Sequence, residues 1–212
     1  MVPGLFRSSH KAPAAQLLAL ETTFASRVAD AFPDNARFRR PDLPALLQHY
    51  GFRTSWLDVV DNLWTAVWFA THSMSQADGR VLATCENRSG WLYFLAVSDD
   101  CTALDLRESH HALSLRPHAQ AGWSMKGPEQ SVAELDDFVI ATVEFPVDER
   151  WRLKGYLSSE EFFFPPQRLD DTLKRLYSHD VDRIAADVEG EKNLTGALGR
   201  VFPSRPAGID HS

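Results

Sequence analysis

Residues 48–72 read QHYGFRTSWLDVVDNLWTAVWFATH. Gln48, His49 and Tyr50 stand directly before Gly51, then Thr54, Ser55 and Asp58 interrupt an apolar run that ends at Phe69-Ala70. Each polar group set among buried surface costs about 1–3 kcal/mol unless something pairs with it. Something must therefore meet these side chains, either a bound molecule or the rest of the protein.

Locally, Asp42 and Pro44 open a short helix through Leu46, Leu47 and Tyr50, and Gly51 closes it. His49 falls in its last turn, where the helix dipole favours a cationic ring. It either bonds backbone near the helix end or faces a cleft. Phe52–Leu57 has strand composition, and a second helix is expected over Asn62–His72, capped by Asp58 or Asp61. Asp58 is thus a cap or an acid. In that helix Leu63, Ala66, Val67 and Ala70 share one face and Trp64 and Trp68 its neighbour, so it is expected to be buried all round, with the tryptophans in the core.

Towards the N-terminus, Leu5–Arg7 reads as a short strand, and Arg7 is either solvated or a clamp for phosphate or carboxylate. Ala12–Phe32 is a packing helix by the spacing of Leu17, Leu18, Leu20, Phe24, Val28 and Phe32. Towards the C-terminus, a turn over Ala77-Asp78-Gly79 precedes strands Arg80–Glu86 and Trp91–Val97, joined as a hairpin through Asn87–Gly90. Ser98–Ser114 reads as loop and helix. Its adjacent His110 and His111 have no third ligand at metal spacing. Leu115–Ser124 is read as a strand, Phe138–Phe145 as the clearest later strand, and Asp170–Tyr177 and Asp180–Val188 as closing helices. One domain is expected over residues 1–190, followed by a loosely ordered tail over 191–212.

The chain has 212 residues, 44% of them hydrophobic, enough for a substantial core. A net charge of −7 gives no global footprint for nucleic acid, so polyanion binding would have to be local. Cys85 and Cys101 form no CxxC pair and read as reduced thiols of a cytoplasmic protein. No run approaches the roughly 18 apolar residues of a membrane span. Neither GxGxxG nor GxxxxGK[ST] occurs, which argues against Rossmann and P-loop nucleotide sites.

LLQHYGFRTSWLDVVDNLWTAVWFA resembles the central signature of the FRG domain, a Gln-His-Tyr-Gly run leading to a threonine, a Leu-Asp pair and a helix ending in Phe-Ala. Leu5-Phe6-Arg7-Ser8 resembles the Phe-Arg-Gly element that names the family, with serine for glycine. Arg116–Trp123 resembles a later Arg…Ala-Gln-x-Gly-aromatic element, and Phe162–Leu173 a closing segment. Arg53-Thr54-Ser55-Trp56 departs from the family's Pro-Thr-Arg-Leu, losing the arginine after the threonine.

More remotely, this layout resembles ADP-ribosyltransferases, in which NAD lies in the cleft of a split β-sheet. The resemblance implies an α+β domain with a split sheet flanked by helices, and NAD as substrate of an ADP-ribosyltransferase or NAD glycohydrolase. It would act on a macromolecule, protein or nucleic acid, as a toxin or an anti-phage effector. Arg7, His49, Tyr50, Thr54, Ser55 and Arg116 would bind the dinucleotide, with Gln120 and Asp58 catalytic. Arg7, Thr54 and Gln120 would line one cleft. A glutamine supplies neither negative charge for an oxocarbenium-like transition state nor a base. The competing reading is therefore a non-catalytic nucleotide- or protein-binding module on the same scaffold. A nuclease has less support, since no carboxylate pair stands at metal spacing.

Overall fold

The computed structural model describes residues 12–32, 40–77, 80–85, 88–109, 114–128, 135–147 and 160–199. Arg7 and the strand expected around it, the turn at Asp78-Gly79, His110 and His111 lie outside them. Helix α1 (Ala14–Ala31) turns Leu17, Leu20, Phe24 and Val28 inward, as its periodicity predicts. After a 3-10 turn over Arg40–Asp42 comes α2 (Leu43–His49). Its end is a Schellman motif: Gly51 has φ 95°, Phe52 N–H donates to the Leu47 carbonyl at 3.0 Å and Gly51 N–H to the Gln48 carbonyl at 2.8 Å. A side chain at position 51 would strain this left-handed turn.

Strand β1 spans Leu57–Val60, not Phe52–Leu57. The aromatic and threonine content of 52–56 reflects burial off the sheet, since Phe52, Thr54, Ser55 and Trp56 are all buried. Helix α3 (Leu63–Thr71) is capped by Asn62, whose Oδ1 accepts from Trp64 and Thr65 N–H at 2.9 and 3.1 Å; neither Asp58 nor Asp61 serves as cap. Nor is α3 buried all round. Trp68 is enclosed among His72, Phe69 and Phe163, whereas Leu63 and Trp64 are exposed.

The expected hairpin is re-paired. Strand β2 (His72–Ala77) pairs with β3 (Arg80–Cys85), while β4 (Arg88–Leu95) pairs with a strand some fifty residues on, as described below. Helix α3 ends at Thr71, close to where it is expected, and passes straight into β2, whose HSMSQA sequence has too few apolar residues to announce a strand. Next come β5 (Thr102–Asp105) and the single helical turn α4 (Leu106–Ser109). Leu115–Ser124 is not one strand: α5 (Leu115–Ala119) precedes β6 (Gly122–Lys126), with Ala121 at φ 51° reversing the chain between them. Pro117, in the first helical turn, removes no intrahelical bond there and so permits the helix. Strand β7 (Val139–Val147) follows, then α6 (Glu160–Phe163), α7 (Asp171–Ser178) and α8 (Val181–Lys192).

The fold is α+β. Among the described residues the sheet is divided into three antiparallel pieces: β1-β6-β5, β2-β3 and β4-β7. The main core is helical, α1 packing with α2, α7 and α8 through residues such as Phe24, Leu46, Leu176 and Val188. Residues 191–199, expected to open a loose tail, are packed. Helix α8 runs to Lys192, Leu194, Ala197 and Leu198 are buried, and the Glu189 carboxylate accepts Gly196 and Leu198 N–H, each at 2.6 Å.

The three-stranded sheet is tied at one end by Arg107. Its guanidinium donates to Asp105 at 2.6 Å and to Asp61 at 2.5 Å, and Trp123 Nε1–H donates to Asp61 at 3.0 Å. The Arg107 hydrogen bonds hold the Asp105 carboxyl below its ordinary range. A depressed carboxylate stabilises the fold above its unfolded pKa, and that contribution is lost as pH falls through the folded value. Arg107→Met should therefore cost about 1 kcal/mol at pH 7. The gap between variant and parent should narrow as unfolding is followed down through the acidic range; a gap independent of pH would contradict the pairing.

Candidate functional site

The polar residues of 48–58 are answered partly within the segment and partly by α1 and α7. Gln48 Oε1 accepts Thr54 N–H at 3.0 Å and the Thr54 hydroxyl at 3.1 Å, and Trp56 N–H donates to Thr54 Oγ1 at 3.2 Å. Buried Glu21 of α1 accepts Ser55 N–H at 2.8 Å and its hydroxyl at 3.0 Å. His49 Nδ1 stands 3.1 Å from Asp58 Oδ1. An ionised carboxylate only accepts, so Nδ1 carries the hydrogen of that bond.

Tyr50 reaches furthest. Its hydroxyl lies 2.8 Å from both oxygens of Asp170, the buried N-cap of α7, which also accepts Leu173 N–H at 2.9 Å and Arg116 N–H at 3.0 Å. Burial, reinforced by the Asp170 charge, pushes the Tyr50 hydroxyl well above its ordinary pKa, so it remains a donor. The Arg116 guanidinium covers the Tyr50 ring at 4.9 Å and the Phe164 ring at 5.3 Å, and donates to the His49 carbonyl at the end of α2. Gln120 donates its amide to the Phe163 carbonyl at 2.7 Å, and the hydroxyls of Ser114 and Thr172 meet at 2.6 Å.

Segments 48–58, 114–122 and 160–172 thus converge around the end of α2. Most of the side chains they bring together are buried and hydrogen-bonded to one another. Thr54 is fully enclosed and Gln120 nearly so. The cleft expected between Arg7, Thr54 and Gln120 is accordingly not an open one at the latter two residues. Tyr50 offers no free ring face for stacking, since Arg116 occupies it. Asp58 is partly exposed but its carboxylate is engaged by His49.

His49 and Asp58 have the form of an oriented base, yet the base has no access. Nε2, the atom that would take a proton, has no hydrogen-bond partner among the described residues and is packed against Gly122. A proton donor cannot reach it without displacing β6.

The FRG domain model matches residues 1–79. Residues 1–79 are similar to the FRG domain family. The match takes in the whole 48–72 signature and stops before Arg116–Trp123 and Phe162–Leu173, whose resemblance it does not cover. Neither a curated protein nor a solved structure matches the chain. In structural terms the FRG signature is a set of internal fastenings, Gln48 to Thr54, His49 to Asp58 and Tyr50 to Asp170.

One polar residue of the FRG segment escapes sequence reading. Glu21 lies on the buried stripe of α1, and burial raises its carboxyl above the ordinary value although Ser55 and, through space, Lys126 oppose this. The signal was its place in the series Leu17, Glu21, Phe24, Val28, where an apolar residue is expected. Glu21 lines a cavity of about 520 Å³ together with Trp56, Lys126, Leu18, Pro41 and Pro44. Among the described residues no cluster of three or more His, Cys, Asp or Glu could hold a metal ion, and no helix is long and apolar enough to cross a membrane.

Proposed function

We propose that the chain is a non-catalytic binding module on an FRG scaffold, and that its target is a protein segment docking along β4 and β7. The observation that carries this is the exposure of Trp91, Tyr93, Phe94, Val143 and Ile140 on that ribbon, with Leu63 and Trp64 of neighbouring α3 exposed as well. Trp91 and Tyr93 lie on one face of the ribbon and Phe94 and Val143 on the other, and exposed apolar side chains on both faces support an interaction site there. A two-stranded ribbon is marginal in water, and among the described residues both of its outer edges lack a partner strand. In register, Leu92 faces Val143 and Phe94 faces Ala141 on one side, Trp91 faces Glu144 and Tyr93 faces Thr142 on the other.

The chemistry of the partner follows from charge. Ala96 N–H donates to the Phe138 carbonyl at 2.8 Å, which brings exposed Asp99 and Asp100 to the same end of the ribbon as Asp136 and Asp137. An extended segment alternating apolar with lysine or arginine side chains would add a strand and meet this acidic rim. The ADP-ribosyltransferase or NAD glycohydrolase reading has less support, because Gln120, Tyr50, Thr54 and Ser55 are engaged internally.

Synthetic extended peptides alternating valine with lysine, or valine with glutamate, test the proposal by calorimetry. The lysine series should bind, more weakly as salt rises, and Ile140→Asp should abolish binding at an unchanged melting temperature. Equal binding of both series, no binding, or self-association of the chain through the ribbon would each overturn it. Incubation with labelled NAD should release no nicotinamide; release would favour the enzyme.

A further inference from the structure

The cavity between α1, α2 and β6 combines three properties that the ribbon reading does not use. Its walls are largely apolar, supplied by Leu18, Ala25, Pro41, Pro44 and Trp56. Glu21 presents a buried carboxyl whose described partners are the neutral donors of Ser55 alone. Each oxygen accepts one hydrogen bond from Ser55 and keeps a second acceptor position. Lys126 stands on the opposite element near enough to bias Glu21 electrostatically, with no hydrogen bond or ion pair to it among the described residues.

A buried carboxylate without a hydrogen-bonded cation is costly, and an ammonium entering beside it supplies the missing charge. The same arrival frees Lys126 to pair with an anionic group. The two protein charges are neighbours, so the ligand's own two charges must be separated by only a few atoms. The remainder of the ligand has to fill apolar space next to an indole.

We propose that this cavity binds a small apolar zwitterion, a free α-amino acid with a large hydrophobic side chain. The ammonium sits on Glu21, the carboxylate on Lys126, and the side chain lies against Trp56 between α1 and the Pro41–Pro44 turn. A volume of about 520 Å³ is in the range of small-molecule sites and accommodates an indole or isobutyl side chain with water to spare. Thr22 and Ser26, also on the lining, offer hydroxyls to the polar end.

Isothermal titration of the full chain with L-tryptophan, tryptamine, N-acetyl-L-tryptophan and glycine isolates each part of the claim. L-Tryptophan should bind saturably at one site. Tryptamine, lacking the carboxylate, and N-acetyl-L-tryptophan, lacking the ammonium, should each bind at least tenfold more weakly, and glycine should not bind. Lys126→Met should lower affinity for L-tryptophan at least tenfold while leaving tryptamine unaffected. Glu21→Gln should have the converse selectivity, weakening tryptamine and leaving N-acetyl-L-tryptophan unaffected. If Glu21→Gln does not fold, Lys126→Met alone decides. Absence of L-tryptophan binding, equal binding of the three indoles, or indifference to Lys126→Met would overturn the proposal. None of these outcomes bears on the β4–β7 ribbon, whose peptides have no access to α1 chemistry.

Discussion

Replacing Asp170 by alanine is expected to lower the melting temperature by roughly 6–20 °C, corresponding to about 3–5 kcal/mol at 2–4 °C per kcal/mol for a chain of this size. Asp170 is fully buried, and its carboxylate receives the Tyr50 hydroxyl, Arg116 N–H and Leu173 N–H. Truncation strands three buried donors at once, each worth about 1–3 kcal/mol when left without an acceptor, and also removes the cap of α7 at about 1 kcal/mol. Partial relaxation keeps the total below the sum. Tyr50→Phe should cost less, about 1–2 kcal/mol, because it takes away one donor and leaves the two backbone bonds of the carboxylate in place. Thermal and urea unfolding of both variants make the check. An Asp170→Ala protein as stable as Tyr50→Phe would mean that Asp170 is not the shared acceptor.

The second large effect is expected at Gly122, for a steric reason. A Cβ at that position would overlap His49 Nε2 and stand 2.6 Å from Cε1, closer than real side-chain contacts allow. His49 cannot swing aside, since its ring is buried and its Nδ1 is held by Asp58. Backbone movement would have to come from β6, the central strand of its sheet, paired with β1 on one side and β5 on the other. Gly122→Ala should therefore cost about 3 kcal/mol, or roughly 6–12 °C in melting temperature.

A cycle separates this clash from any intrinsic preference for glycine. In a His49→Ala background the imidazole is gone, and the added methyl of Gly122→Ala should then be nearly neutral. The two substitutions should couple by about 2 kcal/mol, with the double variant more stable than the sum of the singles predicts. Additive behaviour would show that position 122 is intolerant for another reason, such as strain beside Ala121.

These two sites also show which parts of the fold can be read from the chain. Helix α1 was legible because five apolar residues at three- and four-residue spacing leave one amphipathic solution, and the end of α2 because a glycine after Tyr50 permits the left-handed turn. Strand β7 and helix α7 were legible for the same local reasons. Where segments were misread, a partner outside the local pattern decided. Residues 52–56 have strand composition but are held off the sheet by Gln48 and Glu21, and β4 pairs with β7 and not with β3. Trp64 and Trp68 have similar local surroundings, yet only Trp68 meets Phe163.

The site residues divide in the same way. The polar excess of 48–58 was visible because buried polar groups demand partners, and that demand is a property of sequence. Which partner answers it is not. Gln48, His49 and Tyr50 are satisfied by Thr54, Asp58 and Asp170, so what resembles a ligand cleft is largely internal fastening. Glu21 stands in sequence on the buried stripe of a packing helix, but its partners appear only when α1 is laid against Ser55 and Lys126. Local periodicity and turn chemistry, acting over a few residues, determined the elements and flagged the polar cluster. Tertiary hydrogen bonds and packing, from Gln48–Thr54 close by in sequence to Tyr50–Asp170 far along the chain, decided whether those polar groups face a ligand or one another, because only the folded chain sets which donors and acceptors come within hydrogen-bond distance.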